Sequence, residues 1–588
     1  MDGKRPKLVY DVIWLLFAGI ASSLYCATAA ERIGPTFDEP LYMRYGLERW
    51  RTGSSYELMR VGTMPLPVDV AALPVAVWER CRGEQFDVNA DLSRILPIAR
   101  LGALAFWWLL LTYGWLIARR LGGAWAGRLA IGILATEPNL LAHAGLAATD
   151  LALAAMMLAF CFHYRLGRDG AWLKRVDIPA LFCAGAILAK ASGLVFVPIC
   201  MVAIEFERVW SKSAAAGFSA KALNALRGLF RGRNWRDGVL MFVIANIIVF
   251  AYCGSDWRPH EKLVASAHAL PEGPFREPAI WAAEHFRIFN NAGVALSRQI
   301  MHNAQGHGVY LLGDTAPRAI WYYFPAALSI KATIPMLLLF AGLLLLRPRS
   351  LWNWPLITAG CLLAFSLTCR VQIGIRFFLP LIALAGIGLS VSLTRIGIWS
   401  RLSTPPDPPR LGVGRGGSRA WTHIMVALPA IAALTLIAWS GVECAIAWPN
   451  SLCFTNGLWS SRADGYKLLS DSNFDWGQGI PEMTRWSKAQ QIPVIAIWYF
   501  GTDPDAQRPP FHSISLIGVS PAKIRSTAGC RYLAVSATIL YGSYVDPAQT
   551  PALDWLRHRP IADRTRTFFI FDLDAADSEA KAVAARLD

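Results

Sequence analysis

The chain has 588 residues, of which 54% are hydrophobic and only 17% charged, with 24 tryptophans. A soluble chain of this length would divide into several domains carrying about 25% charged residues, so an ordinary soluble protein is excluded. The formal charge of +16 suggests nucleic acid until its distribution is followed. Basic residues gather in alternate loops between apolar runs, which is an orientation signal and argues against nucleic-acid binding.

In chain order, Lys4, Arg5 and Lys7 precede an apolar run over 8–30 that is long for a signal peptide and has no convincing cleavage site after it. It predicts an uncleaved first span with the N-terminus in the cytoplasm. A helix needs about 20 apolar residues to cross a hydrocarbon core of about 30 Å. Further runs predict spans near 96–118, 124–141, 150–164, 178–190, 192–206, 238–253, 319–346, 351–368, 376–394 and 421–441, about eleven in all. The loops 1–7, 119–123, 165–177, 207–237, 347–350 and 395–420 are basic and read as cytoplasmic. The external loops are then 31–95 and 254–318, the second with six basic and six acidic residues. Residues 178–206 are too few for two full spans, yet both flanks are basic, which demands an even number of crossings. The stretch therefore predicts a broken helical hairpin whose tip is Lys190-Ala-Ser-Gly193.

The predicted fold is thus an α-helical polytopic membrane domain over 1–441, followed by an external α/β domain over 442–588. In the latter, strands are expected at Val494–Phe500, Ile514–Val519, Tyr532–Val535 and Thr567–Phe571, with a helix at 478–490. Residues 403–419, rich in Pro, Gly and Arg, read as a linker. Residues 213–232 suit either an amphipathic helix on the inner leaflet or a solvated basic loop. The eleven cysteines form no CxxC pair and so no zinc or thioredoxin-like signature. Cys81, Cys444, Cys453 and Cys530 fall outside, where a Cys444–Cys453 disulfide could persist. No internal repeat of the transporter kind is present.

Ionisable groups at bilayer depth are costly unless paired or wet, so they mark function. Asp38 and Glu39 follow the first span, Asp150 opens the fourth, and Lys190 tips the broken hairpin. Lys331 lies 16 residues before Arg347, about 24 Å up a straight helix, and Arg376 opens the tenth span. Each has a bland explanation: a helix N-cap for the acids, snorkelling to lipid phosphate for the cations. Together, six groups from five stretches of the chain reach one outer level. Carboxylates could receive a proton from an acceptor hydroxyl, and fixed cations could hold a phosphate leaving group.

These residues resemble the phospholipid carrier-dependent glycosyltransferases of the GT-C membrane fold, which include the protein O-mannosyltransferases and the lipid A aminoarabinose transferases. The likeness is carried by Asp38-Glu39, Thr149-Asp150-Leu151-Ala152 and Lys190-Ala-Ser-Gly193. It continues through Gly306-His307-Gly-Val-Tyr310-Leu-Leu-Gly313, Trp321-Tyr-Tyr-Phe-Pro325 with Lys331, Ile373-Gly-Ile-Arg376-Phe-Phe-Leu-Pro380 and Leu469-Ser-Asp-Ser-Asn473-Phe-Asp475-Trp-Gly-Gln478. The resemblance implies inverting transfer from a polyprenyl- or dolichyl-phosphate sugar to a lipid, glycan or protein acceptor. It implies Asp38 as catalytic base, Glu39 assisting, Asp150 as a second acid, and Lys190, Lys331 and Arg376 as donor-phosphate contacts. His307, Tyr310, Tyr322, Tyr323, Asp475 and Trp476 are the candidate substrate contacts, and no cofactor or metal is indicated. The sequence departs from the family at Met64-Pro-Leu-Pro67, where relatives often have a His-Pro-Pro-Leu-like stretch, and it lacks the β-trefoil insertion of eukaryotic mannosyltransferases. The expected location is the inner (plasma) membrane, multi-pass. The alternatives are a transporter or flippase, which predicts charges near mid-membrane and repeat symmetry, and a non-catalytic membrane scaffold.

Overall fold

A computed structural model describes residues 5–212, 217–229, 232–257, 259, 261–285, 290–395, 416–542 and 551–575. Each predicted span folds as helix. The helices are α1 (Arg5–Ala30), α2 (Glu39–Thr52) and α3 (Leu66–Arg82), then α4 (Val88–Ala135), α5 (Pro138–Ala144) and α6 (Asp150–Gly167). They continue as α7 (Ile178–Ala189), α8 (Gly193–Lys212), α9 (Gly232–Cys253), α10 (Tyr323–Lys331) and α11 (Ile334–Leu346). The last of the bundle are α12 (Trp354–Ser366), α13 (Leu379–Thr394) and α14 (Gly416–Ala447). Among the described residues, five helical segments are long and apolar enough to cross a membrane, in α1, α4, α9, α14 and Ile375–Thr394 (α13 with the helical turn before it), and the bent pair α10–α11 makes a sixth. The shorter predicted spans, such as α7 with 12 residues and α12 with 13, are helical but fall below that length. The linker predicted at 403–419 lies mostly outside the described residues. Phe218–Leu229 is helical, within the stretch where an amphipathic helix was one of two readings.

Two breaks in the helices shape the bundle. Gly123 adopts φ +82° and ψ −171° inside α4, a left-handed φ that glycine takes without a Cβ penalty. The chain doubles back there, since Gly114 lies against Leu134 and Gly127 against Trp115. The spans expected at 96–118 and 124–141 are thus the two arms of one helical hairpin. The second break separates α10 from α11 by a bend of 110°. Height along a straight helix therefore does not locate Lys331. The last carbonyls of α10 would be orphaned by this break, yet all find donors. Asn456 gives its backbone N–H to Ile330 O (2.9 Å) and its side-chain amide to Ser329 O (2.6 Å) and Ala332 O (2.8 Å). Asn139 supplies Lys331 O (2.8 Å). Non-helical backbone at depth is tolerated because protein satisfies it.

The broken hairpin at 178–206 forms as expected, with Lys190–Ser192 between α7 and α8. At the end of the bundle remote from Asp38, two buried ionic knots hold the helices. Asp11 of α1 pairs with Arg119 and Arg128 of α4. Arg168 links Glu205 (2.6 Å) and Asp237 (3.4 Å), and Asp237 also pairs with Arg175 (2.9 Å).

Beyond α14, a five-stranded sheet forms from β3 (Ile495–Trp498), β4 (Phe511–Ser513), β5 (Tyr532–Ser536), β6 (Asp563–Arg564) and β7 (Phe568–Asp572), in the order β4-β3-β5-β7-β6. A separate hairpin pairs β1 (Val309–Leu311) with β2 (Asp314–Ala316). In the sheet β3 is parallel to β4 and β5, while β7 runs antiparallel to β5 and β6. Three strands lie where the alternation and β-branched content place them, and α15 (Ile480–Ala489) fills the predicted helix. The expected strand at 514–519 is a correction: the edge strand is Phe511–Ser513, and the chain then turns, with Val519 N–H donating to Leu516 O at 3.1 Å. Leu516, fully buried, is a core plug from a turn. All eleven cysteines are free thiols, so no Cys444–Cys453 disulfide forms. Cys444 belongs to α14 within the bundle, whereas Cys453 packs into the core of the sheet region.

Candidate active site

The loop after α1 is built around a buried ion pair. Arg100 of α4, 2% exposed, donates Nε to Glu39 Oε1 (2.9 Å) and Nη2 to Glu39 Oε2 (2.6 Å). Its remaining N–H groups reach Ala30 O, Ile33 O and Gly34 O. Glu39 also accepts from Thr36 N (2.8 Å), Thr36 Oγ1 (3.1 Å) and Ala147 N (2.8 Å). Burial alone would raise this carboxyl's pKa, but Arg100 and the two amides hold it below its ordinary value. Every lone pair of Glu39 is engaged away from any open site. Its work is to pin residues 33–39 so that Asp38, next in the chain, is displayed. The other side of the loop is zipped to residues 476–478 by Gly34 N–H to Gln478 O and Phe37 N–H to Trp476 O, both 2.9 Å.

Asp38 makes no side-chain cap on α2. Its Oδ2 instead accepts from Arg376 Nη1 at 2.9 Å. The same guanidinium nitrogen lies 3.9 Å from Asp150 Oδ2, and Asp150 Oδ1 accepts from Lys190 Nζ. Arg376 stacks over the Trp476 ring at 4.0 Å and Lys190 over Phe377 at 4.1 Å, cation–π contacts that hold both cations in place. The cluster is an alternating row, Asp38–Arg376–Asp150–Lys190, from four distant stretches. Asp150 Oδ2, Arg376 Nε and His143 Nδ1 are buried with no hydrogen-bond partner, unusual for groups that are costly to leave unmade.

The turn carrying Arg376 is gripped from outside the bundle. Ser472 Oγ donates to Ile373 O (2.5 Å) and Asn473 Oδ1 accepts from Ile375 N (2.9 Å). Gly374 sits directly against Ser472 Oγ, where any Cβ would collide. The segment Leu469–Gln478 thus positions Arg376 through its serine and asparagine and supplies Trp476 beneath it.

Several sequence candidates stand elsewhere. Lys331 is 2% exposed, and its ammonium donates to Leu452 O and Asn473 O, both at 2.7 Å. It clamps the end of α10 to the region beyond α14 and is not part of the acid–cation row. Asp475 is buried and accepts from Thr538 N (3.0 Å) and Gly477 N (3.2 Å); burial pushes its carboxyl up to about 7. Tyr323 OH accepts from Asn473 Nδ2 (2.9 Å), and Tyr310 is buried in β1. Tyr322 and His307 are exposed, the latter with Nδ1 at 2.8 Å from Gly308 O. Among the described residues no group of three His, Cys, Asp or Glu side chains could hold a metal ion.

Three contributors escaped the sequence reading. Arg100 and His143 are ionisable groups at the ends of apolar runs, a detectable signal. Asp471 lies inside a quoted segment, with its backbone at φ +53°, a left-handed conformation that non-glycine residues adopt rarely. Burial raises its carboxyl to about 6 against the opposing pull of Arg376.

These features define a paired acid–cation cluster at one end of a helical bundle, covered by an α/β region. No protein-family model matches the chain, and no characterised protein matches it in sequence. Its structure is similar to that of ArnT from Cupriavidus metallidurans in the apo state, at 15% identity and a TM-score of 0.44, covering 95% of this chain and 97% of that one. ArnT bound to undecaprenyl phosphate gives 15% identity and a TM-score of 0.42 over the same shares. The Archaeoglobus fulgidus oligosaccharyltransferase tethered to an acceptor peptide gives 11% identity and a TM-score of 0.46, covering 95% of this chain and 74% of that one.

Proposed function

We propose that the chain is a multi-pass membrane glycosyltransferase that moves a sugar from a polyprenyl-phosphate-linked donor to an acceptor hydroxyl on the extracytoplasmic side, with inversion. The observation that carries this reading is the row Asp38–Arg376–Asp150–Lys190 at one end of the bundle. Arg376 and Lys190 hold the donor phosphate, the arginine as a planar fork and the lysine as a point charge. Asp38 takes the proton of the acceptor hydroxyl as its oxygen attacks the anomeric carbon. The bond from that carbon to the phosphate oxygen breaks, and its electron pair leaves on the lipid phosphate, where the two cations stabilise it. Asp150 keeps Lys190 and Arg376 aimed. A transporter reading is disfavoured because the charges lie at the two ends of the bundle and not along a central path.

The test is transfer by the purified protein from a polyprenyl-phosphate sugar, followed by mass spectrometry of envelope lipids, glycans and proteins as acceptors. Asp38→Asn is expected to lower turnover by about 10²–10⁴-fold with an unchanged melting curve. Turnover like wild type in that variant removes Asp38 as base.

A further inference from the structure

The bundle holds a second cluster of arginines at the end opposite the Asp38 row. Arg165 lies 15 residues along α6 from Asp150, about 22 Å at 1.5 Å per residue. Several cations at this end are consumed by carboxylates: Arg119 and Arg128 by Asp11, Arg168 and Arg175 by Asp237, and Arg208 by Glu205. Arg120 and Arg165 are not. Among the described residues Arg120 has no acid within ion-pair distance. Arg165 approaches Glu207 only to 3.8 Å, while its Nε is shielded from solvent with no hydrogen-bond partner. Both arginines line a cavity of about 300 Å³ between α4, α6 and α12, together with Ile117, Phe162, Leu166 and Trp354.

We infer that this cavity binds the phosphate headgroup of an anionic phospholipid. The two guanidinium groups, opposed by a single loosely engaged carboxylate, leave net positive charge, and guanidinium forks suit phosphate oxygens. Trp354 opens α12, so the positive end of that helix dipole adds to the field. A free phosphate would use only the arginines. The remaining wall is apolar and aromatic, with Leu166 still 40% exposed, which suits a glycerol backbone and the first methylenes of an acyl chain. A basic pocket between helices at the cytoplasmic face is a recognised setting for anionic lipid, and the basic loops assign this end to that face. The inference is independent of the reaction proposed above.

The experiment uses the full-length protein in nanodiscs of phosphatidylcholine containing phosphatidylglycerol, with native mass spectrometry counting the phosphatidylglycerol retained. Arg120→Gln/Arg165→Gln is expected to weaken retention at least about tenfold, the loss of one or more charge-assisted contacts. Leu166→Trp keeps both charges, fills the cavity, and is expected to lower retention likewise; it carries the test if the double variant misfolds. Retention equal to wild type in whichever of these variants remains monodisperse overturns the site. Displacement of the lipid by millimolar inorganic phosphate, with equal protection of the arginines by phosphate alone, overturns the lipid assignment in favour of a free anion.

Discussion

Glu39→Gln separates a scaffold carboxylate from a reacting one. The two oxygens of Glu39 accept five hydrogen bonds: Oε1 from Arg100 Nε and Ala147 N, and Oε2 from Thr36 N, Thr36 Oγ1 and Arg100 Nη2. An amide has one acceptor oxygen. In its better orientation the –NH₂ replaces Oε1 and faces two donors, Arg100 Nε and Ala147 N, so both bonds are lost and the guanidinium stays buried without its countercharge. Breaking a buried pair from one side costs about 3–5 kcal/mol. Glu39→Gln should therefore lower the thermal midpoint of the detergent-solubilised protein sharply and loosen the loop that displays Asp38. Arg100→Met should do the same, and the double variant should recover part of the loss, because it buries no unpaired charge. The assay is tryptophan fluorescence during a thermal ramp, with sugar transfer measured on the surviving folded fraction. A Glu39→Gln protein that melts like wild type yet transfers no sugar refutes the scaffold role and returns Glu39 to the chemistry.

Replacing Lys331 with Met keeps its volume but leaves Leu452 O and Asn473 O without a donor. At about 1–3 kcal/mol per orphaned carbonyl, the expected outcome is a lower melting point with the KM for donor unchanged in the folded fraction; a selective rise in that KM would make Lys331 a phosphate contact. Asp475 keeps its proton to about pH 7 when folded, well above the ordinary carboxyl value, so the native state binds a proton that the unfolded chain releases. Stability should accordingly fall as pH rises from about 4 to 7; Asp475→Asn should flatten that slope, and an unchanged pH profile by denaturant titration counts against it. Arg376→Lys keeps the charge but loses the fork and the stacking on Trp476, so KM for the lipid-linked donor should rise about tenfold or more while acceptor KM changes little; equal changes in both would contradict the phosphate role.

The helices were legible because a membrane leaves the chain few choices. Runs of apolar residues must become helix where backbone groups have no water to bond, and each predicted span did. What could not be read was which helices bend. The α10–α11 break depends on Asn456 and Asn139, more than 120 residues downstream and about 190 upstream, and no local propensity encodes such partners. Likewise Asp38 and Glu39 are neighbours with the same chemistry in sequence. Only the position of Arg100 decides that one is consumed by the scaffold and the other joins the acid–cation row. The edge strand was misplaced because Ile514–Val519 is apolar enough for a strand, whereas a left-handed glycine, Gly518 at φ +74°, lets it turn and insert Leu516 into the core.

The charge balance of the row bears on how the proposed reaction is kept from running without its donor. Two carboxylates face two cations, and Asp38 is held by Arg376 at 2.9 Å, a contact that occupies one of its oxygens. The guanidinium is shared, since Asp150 lies 3.9 Å from the same nitrogen. A donor phosphate arriving at Arg376 and Lys190 competes with both acids for the same N–H groups. Asp150 stays tied to Lys190, whereas Asp38, about one quarter exposed and with Arg376 as its ion-pair partner, is the acid free to turn away. Donor binding and unmasking of the base are then one event. In the proposed reaction the cation that would stabilise the leaving group also engages the proposed base until a donor arrives, two roles carried by residues 338 positions apart that touch.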